Sequence, residues 1–484
     1  MEEKDQSALG SSPGGDSERR LDDRERARRG QRAATIAAEL SVQNVAAVAL
    51  TWVDTSGITR TKGVPVRRLQ EAATWGVGMS PVFDTFLLDD TIVSGRYAGG
   101  PVGDLRLHPV LSRLVPMAGM AGWAWAPAER FTQEGTEHPL DARGLLRREV
   151  ERLAAQGWSI RTAFEVEWAL SEGGGEDFTP ACGGPAYGMT RIAELSDYLR
   201  DLLRALDATG VSVAQIHPEY AAGQMELSVA AEDPIGAADT LVLVRETIRS
   251  VSFQHDLVAS FSPKVLADAV GNGQHVHMSL WRDDPVKGTA VNAMAGGDGP
   301  CGMTRAGEAF TAGILERLPA LLALGSPSVA SYLRLIPSHW AGVFACWGHE
   351  NREAALRFVT GPQGLRSHAA NFEVKCFDGA ANPYLALAGL LAAGRAGLGA
   401  EAVLPEPVDV DPASLSEAER AERGITPLPS SLRESLAAFE ADPVLREAFG
   451  DEVIDTVGVV RRGEIGLFDG VAPEEIAAAT RWRH

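Results

Sequence analysis

Five short segments concentrate carboxylates, imidazoles and cations at spacings that suit phosphoryl chemistry. In Phe-Glu-Val-Glu-Trp, Glu165 and Glu167 stand two apart in a strand-like run, so both point to the same face. Carboxylates on a core face are costly unless neutralised, and a divalent cation such as Mg²⁺ or Mn²⁺ prefers such oxygen donors. A polar, solvated strand face explains that pair equally well. The second segment, His-Pro-Glu-Tyr-Ala-Ala-Gly-Gln-Met-Glu, sets Glu219 and Glu226 seven apart around a glycine-containing turn. In Gly-Asn-Gly-Gln-His-Val-His, Gly271 and Gly273 allow tight backbone, and His275 and His277 share a strand face. The fourth segment supplies Arg352 and Arg357, and the fifth Glu373 and Lys375, again two apart. Arginines clamp phosphate and carboxylate in phosphoryl-transfer sites, although singly each reads equally as a surface ion pair.

The elements that must carry these residues follow from composition and periodicity. Residues 1–32 are rich in Gly, Ser, Arg and acids and poor in large apolar groups, which predicts a disordered tail. A first helix is expected over 33–45, then two strands around the turn residues 54–57, within a strand-rich domain spanning 33–135. A Pro- and Gly-containing stretch near 126–140 marks the boundary to a larger domain, 136–484. There a helix over 141–157 leads into a strand over 159–170, and residues 382–399 read as a long buried helix. Helix and strand signals are mixed rather than alternating regularly, which favours α+β over a doubly wound sheet.

Bulk properties narrow the partners. With 45 basic and 65 acidic side chains the net charge is −20, which argues against nucleic acid or an anionic membrane as the main partner. Four scattered cysteines without a CxxC pair fit a reducing cytoplasm. The N-terminus lacks the apolar core of a signal peptide, and no apolar run reaches the roughly 18 residues that span a bilayer. A soluble cytoplasmic protein is expected.

Taken in order, the five segments resemble the glutamine synthetase superfamily along nearly the whole chain after about residue 40. The resemblance implies a small β-grasp-like N-terminal domain and a catalytic domain built on a curved antiparallel sheet. It implies that Glu167, Glu219 and Glu226 hold the cation next to glutamate, while Glu165, His275 and Glu373 hold the one bridging the ATP phosphates. It further implies two or three Mg²⁺ or Mn²⁺ ions per site and nucleotide contacts from His277 and Ser279. Arg352 and Arg357 would neutralise phosphates, Arg334 and Lys375 would grip the glutamate carboxylate and the transferring phosphoryl group, and Gly271 would offer backbone to glutamate. A homo-oligomer, commonly twelve subunits in two stacked hexameric rings, is implied as well, with sites between neighbouring chains.

Departures from the family pattern bear on the acceptor. Six residues after Arg334, where ammonia-using members carry a glutamate, this chain has Trp340. An indole accepts no proton, but its face attracts cations and its bulk suits a larger amine; packing in a rearranged loop is the competing reading. Lys375 replaces an arginine and Val270 an asparagine. Asp84 best matches the aspartate that a neighbouring subunit contributes to deprotonate ammonium, with Asp89 and Asp90 as competitors, and His339 is another candidate base. The expected activity is therefore ATP-dependent ligation of glutamate to an amine other than ammonia. A true glutamine synthetase and a non-catalytic homologue are the alternatives.

Overall fold

The computed structural model describes residues 19–284 and 288–484. The chain folds around two sheets. The N-terminal one contains β1 Ala47–Val53, β2 Thr59–Pro65, β3 Val77–Met79, β4 Leu105–Pro109, β5 Val115–Pro116 and β6 Trp123–Thr132, in the order β2-β1-β6-β4-β3 with β5 on β6. β1 and β2 form the expected hairpin around Asp54, whose backbone N–H and Oδ1 both bond to Ile58. Val48, Leu50, Ala124 and Ala126 alternate inward beneath the first helix.

That helix corrects the sequence reading. It spans Asp23–Val42, so residues 23–32 are ordered helix and only residues 1–18 of the expected tail lie outside the described residues. The arginine-rich stretch that looked unable to fold is stabilised by charge rather than by apolar burial. Asp22 caps the first turn by accepting from the Glu25 N–H, and Glu25 bonds Arg28 and Arg29 one turn on. Arg29 and Arg19 then reach Glu129 on β6, a partner about a hundred residues away that local patterning cannot reveal.

The larger sheet contains β7 Ser159–Glu172, β8 Val213–Pro218, β9 Gln224–Val229, β10 Leu257–Ser260, β11 Gln274–Asp284, β12 Thr289–Asn292, β13 Phe344–His349, β14 Ala354–Val359, β15 Asn371–Val374 and β16 Thr426–Pro427. Its order is β16-β13-β14-β15-β11-β7-β9-β8, with β10 on β7 and β12 on β11. The pairs are antiparallel apart from β13 and β14, which run parallel. The expected α+β class, with a small N-terminal sheet and a large curved one, describes this architecture.

On β7 the core face carries Ile160, Phe164, Val166 and Trp168, while Glu165 and Glu167 alternate to the other side. Behind the core face pack Pro234–Gln254, Arg305–Gly325 and Pro383–Gly399, the last being the buried helix foreseen at 382–399. Asn382 caps that helix and also donates from Nδ2 to the Val53 and Asp54 carbonyls, tying the two sheets together. Among the described residues no helix is long and apolar enough to cross a membrane.

Candidate active site

Strand register brings the predicted donors together. His275 on β11 stands opposite Glu165 on β7, Glu167 opposite Glu226 on β9, and Glu226 opposite His217 on β8. On the other flank His277 pairs across with Glu373 on β15, and Glu373 with Arg357 on β14. Side chains opposite one another on one face sit about 5 Å apart at Cβ, so these strands present their polar groups to a common space. That space is a cavity of about 780 Å³ reached by Glu165, Glu167, Glu219, Glu226 and His275.

Ligand atoms of Glu165, His275 and Glu373 lie within 4.8 Å of one another, as do those of Glu167, Glu226 and His275, although Glu373 and His277 do not themselves line the cavity. His275 Nδ1 is 3.4 Å from Glu165 and 3.3 Å from Glu373, and its Nε2 is 3.7 Å from Glu167. A third group joins Glu219 and Glu226 through His217, a residue the sequence reading missed. Its Nε2 is 3.1 Å from Glu226 and its Nδ1 3.7 Å from Glu219. The signal was available: His217 and Glu219 are two apart entering a turn, the same parity used for Glu165 and Glu167.

Electrostatics divide these carboxylates. Burial pushes Glu226 upward, and the nearby Glu165 and Glu167 charges reinforce it against the hydrogen bond from His217. Glu219 is likewise raised, by burial first and then by Glu167. Burial acts on Glu165 in the same sense, but the hydrogen bonds from His275 and His277 outweigh it and hold it well below the usual carboxylate range. His277, partly buried, is nevertheless raised to about 9 because its bond to Glu165 and the Glu373 charge overcome desolvation.

Anion-binding groups line the same cavity. Arg334 donates from Nη2 to the Lys375 carbonyl at 3.1 Å, while its Nη1 is buried without a partner. Arg357 Nε is buried and unpartnered as well. Arg352 projects, exposed, from the turn between β13 and β14. Lys375 Nζ and Arg357 Nη1 both hold Glu373, at 3.1 and 3.0 Å. The glycine loop is sterically determined: a Cβ on Gly271 would come within 2.3 Å of the Pro263 carbonyl oxygen and 2.8 Å of Arg334. One on Gly273 would fall 2.6 Å from His275 Nε2.

Three expected residues need revision or relocation. Ser279 does not line the cavity: it is buried, accepts from Trp281 Nε1 and points toward the Arg161 carbonyl. Asp84 sits in the N-terminal region, buried, with Arg130 Nη1 on one oxygen and His138 Nε2 3.2 Å from the other. Both oxygens are hydrogen-bonded, which holds the carboxyl below its usual range; Asp89 and Asp90 nearby are exposed. Trp340 is 54% exposed at the cavity rim, which excludes core packing. The donor set of oxygens and imidazoles, with Glu219 and Glu226 held above their usual range, fits hard divalent cations.

Comparison with known proteins agrees with this geometry. Residues 139–476 match the family described as glutamine synthetase, catalytic domain. The chain is 55% identical over 457 residues to Gamma-glutamylpolyamine synthetase GlnA3 of Streptomyces coelicolor, covering 94% of this chain and 97% of that protein. A solved structure described as a novel glutamine synthase homolog superposes with a TM-score of 0.79 at 31% identity, covering 90% and 97% of the two chains. The GmaS/ADP complex gives 0.78 at 25% identity, covering 90% and 96%. The chain belongs to the glutamine synthetase family. It is an ATP-dependent ligase that joins the γ-carboxyl group of glutamate to amines.

Proposed function

We propose that the acceptor is a polyamine, an amine larger than ammonia, and that the cavity residues divide the reaction as follows. Glu165, His275 and Glu373 hold one cation, and Glu167, Glu219 and Glu226 hold another. Mg²⁺ or Mn²⁺ bound there, two or three per site, offsets charge on the phosphates and on the γ-carboxylate. Arg352 and Arg357 neutralise the phosphates, with His277 beside them. Arg334, whose free Nη1 faces no protein acceptor, takes the carboxylate and the transferring phosphoryl group together with Lys375. Gly271 supplies backbone to glutamate.

The observation that carries the acceptor reading is Trp340, half exposed at the rim of a cavity lined by carboxylates. Tyr187 and Tyr220, also exposed, line the same cavity, and the Tyr187 hydroxyl donates to Glu219 at 2.8 Å. Aromatic faces beside carboxylates attract organic cations, worth about 0.5–2 kcal/mol per ring. The 55% identical relative is named for polyamines, and the GmaS structure contains ADP, which supports a nucleotide at this site. The reading extends to a stacked-ring dodecamer working in the cytoplasm.

Phosphate release from ATP with glutamate and a panel of amines tests it. Fastest turnover with di- and polyamines is expected. Fastest turnover with ammonia would return the protein to glutamine synthesis, and none with any amine would make it a non-catalytic homologue.

A further inference from the structure

An alkylammonium ion, with a pKa of about 10.4, has no lone pair at neutral pH and needs a base before it can attack. The evident acceptors around the cavity are engaged. Asp84 does not line it and is held by Arg130 and His138, and Trp340, which does line it, offers no proton-accepting atom. Glu219 and Glu226 belong to the cation cradle, and His217 is bonded to Glu226.

His339 is differently placed. It is exposed, lines the cavity and adjoins Trp340. Its Nδ1 lies 2.9 Å from the Pro337 carbonyl oxygen. A carbonyl only accepts, so Nδ1 carries the proton and Nε2 of the neutral ring keeps its lone pair. The backbone on either side is in the left-handed region, with φ of 58° at Ser338 and 56° at Trp340. Non-glycine residues rarely hold that conformation unless surroundings impose it. Here the Ser338 hydroxyl donates to Asp411 at 2.8 Å and the Trp340 N–H to Glu353 at 2.8 Å. Two strained, anchored residues thus present one imidazole to the cavity. Glu353 and Asp411 are the charged groups on its anchored side, and Arg334, Arg352 and Lys375 line the cavity it faces.

We propose that His339 is a catalytic base that deprotonates the acceptor amine, an inference that rests on the ligase reading of the cavity. The ammonium passes one proton to Nε2, leaving a neutral amine and an imidazolium. The amine lone pair forms the C–N bond at the carbonyl carbon of γ-glutamyl phosphate, and the C–O bond breaks with its electrons on the departing phosphate. The nitrogen loses its second proton to that phosphate or to water as the amide forms. The imidazolium, open to solvent, then releases its proton there.

The test is His339→Gln, compared with the unaltered enzyme from about pH 7 to about pH 10, using spermidine and methylamine as acceptors. A loss of about a hundredfold in kcat is expected near pH 7, shrinking toward pH 10 as free amine accumulates. KM for glutamate and ATP should stay unchanged, and hydroxylamine, uncharged at neutral pH, should react equally fast with both proteins. Equal loss at every pH, or no loss near pH 7, would overturn the assignment. An unaltered enzyme that uses methylamine but ignores spermidine would instead reject the polyamine reading, and the base assignment would still be decided on methylamine.

Discussion

Glu129 and Glu226 are both buried strand carboxylates, and the chain treats them in opposite ways. Glu129, on β6, receives hydrogen bonds from Arg19, Arg29 and Arg143. Burial alone would raise it, yet those guanidinium groups hold it down at about 2. Glu226, on β9, has only His217 as its partner, faces other carboxylates, and is raised. Around the N-terminal sheet the chain supplies the cations, Arg143 coming from the helix that follows it, and Asp84 with Arg130 shows the same. The cavity gathers Glu165, Glu167, Glu219 and Glu226. His275 and His277 hold Glu165 down, whereas Glu219 and Glu226 face each other and Glu167 with no Lys or Arg bonded to their carboxylates among the described residues, and both are raised. An acid neutralised by its own chain is a brace; one left unbalanced in a cavity requires a cation from outside.

That contrast can be broken by substitution. The largest effect is expected on turnover: Glu165→Ala or Glu226→Ala should abolish ligase activity, a loss of at least about a thousandfold, while in Glu226→Ala the thermal midpoint without added cation stays level or rises. Retained activity in either variant would contradict the cation assignment. Glu129→Ala should do the reverse. Leaving three guanidinium groups without their shared acid costs on the order of 3–5 kcal/mol in urea unfolding, with kcat of the folded fraction unchanged.

The same pair gives a pH prediction. Because the folded-state pKa of Glu129 lies below the ordinary 4.5, its stabilisation is complete above about pH 4.5 and is lost as pH falls toward 2. The unaltered protein should lose roughly 3 kcal/mol over that interval from this group, and Glu129→Gln should flatten that part of the curve. A slope identical in both proteins would remove Glu129 from the account. The smallest expected effect is at the rim. Trp340→Ala should raise KM for a polyamine by about tenfold, the value of roughly 1.4 kcal/mol, and Trp340→Glu should move preference toward ammonia. No gain in ammonia use would place the residue outside the amine path.

Much of the cavity was legible in sequence because strand alternation converts a spacing of two into a shared face. Glu165 with Glu167, His275 with His277, and Glu373 with Lys375 all obey it. Resemblance then assigned the members to two groups, and one trio, Glu165–His275–Glu373, clusters as expected. What could not be read depended on distant pairing. The helix at 23–32 is held by Glu129, and Asp84 is enclosed by Arg130, partners that no local pattern points to. Ser279 has the right parity on β11 but sits two residues beyond His277, where Trp281 and the Arg161 carbonyl take its hydroxyl. His217 was legible by the same parity, two before Glu219, and its cross-strand register with Glu226 completes the group.

The most direct measurement is anomalous diffraction from crystals grown with Mn²⁺. Two peaks per chain are expected, one among Glu165, His275 and Glu373 and one among Glu167, Glu219 and Glu226. An active enzyme whose crystals show no manganese between those side chains would contradict the account.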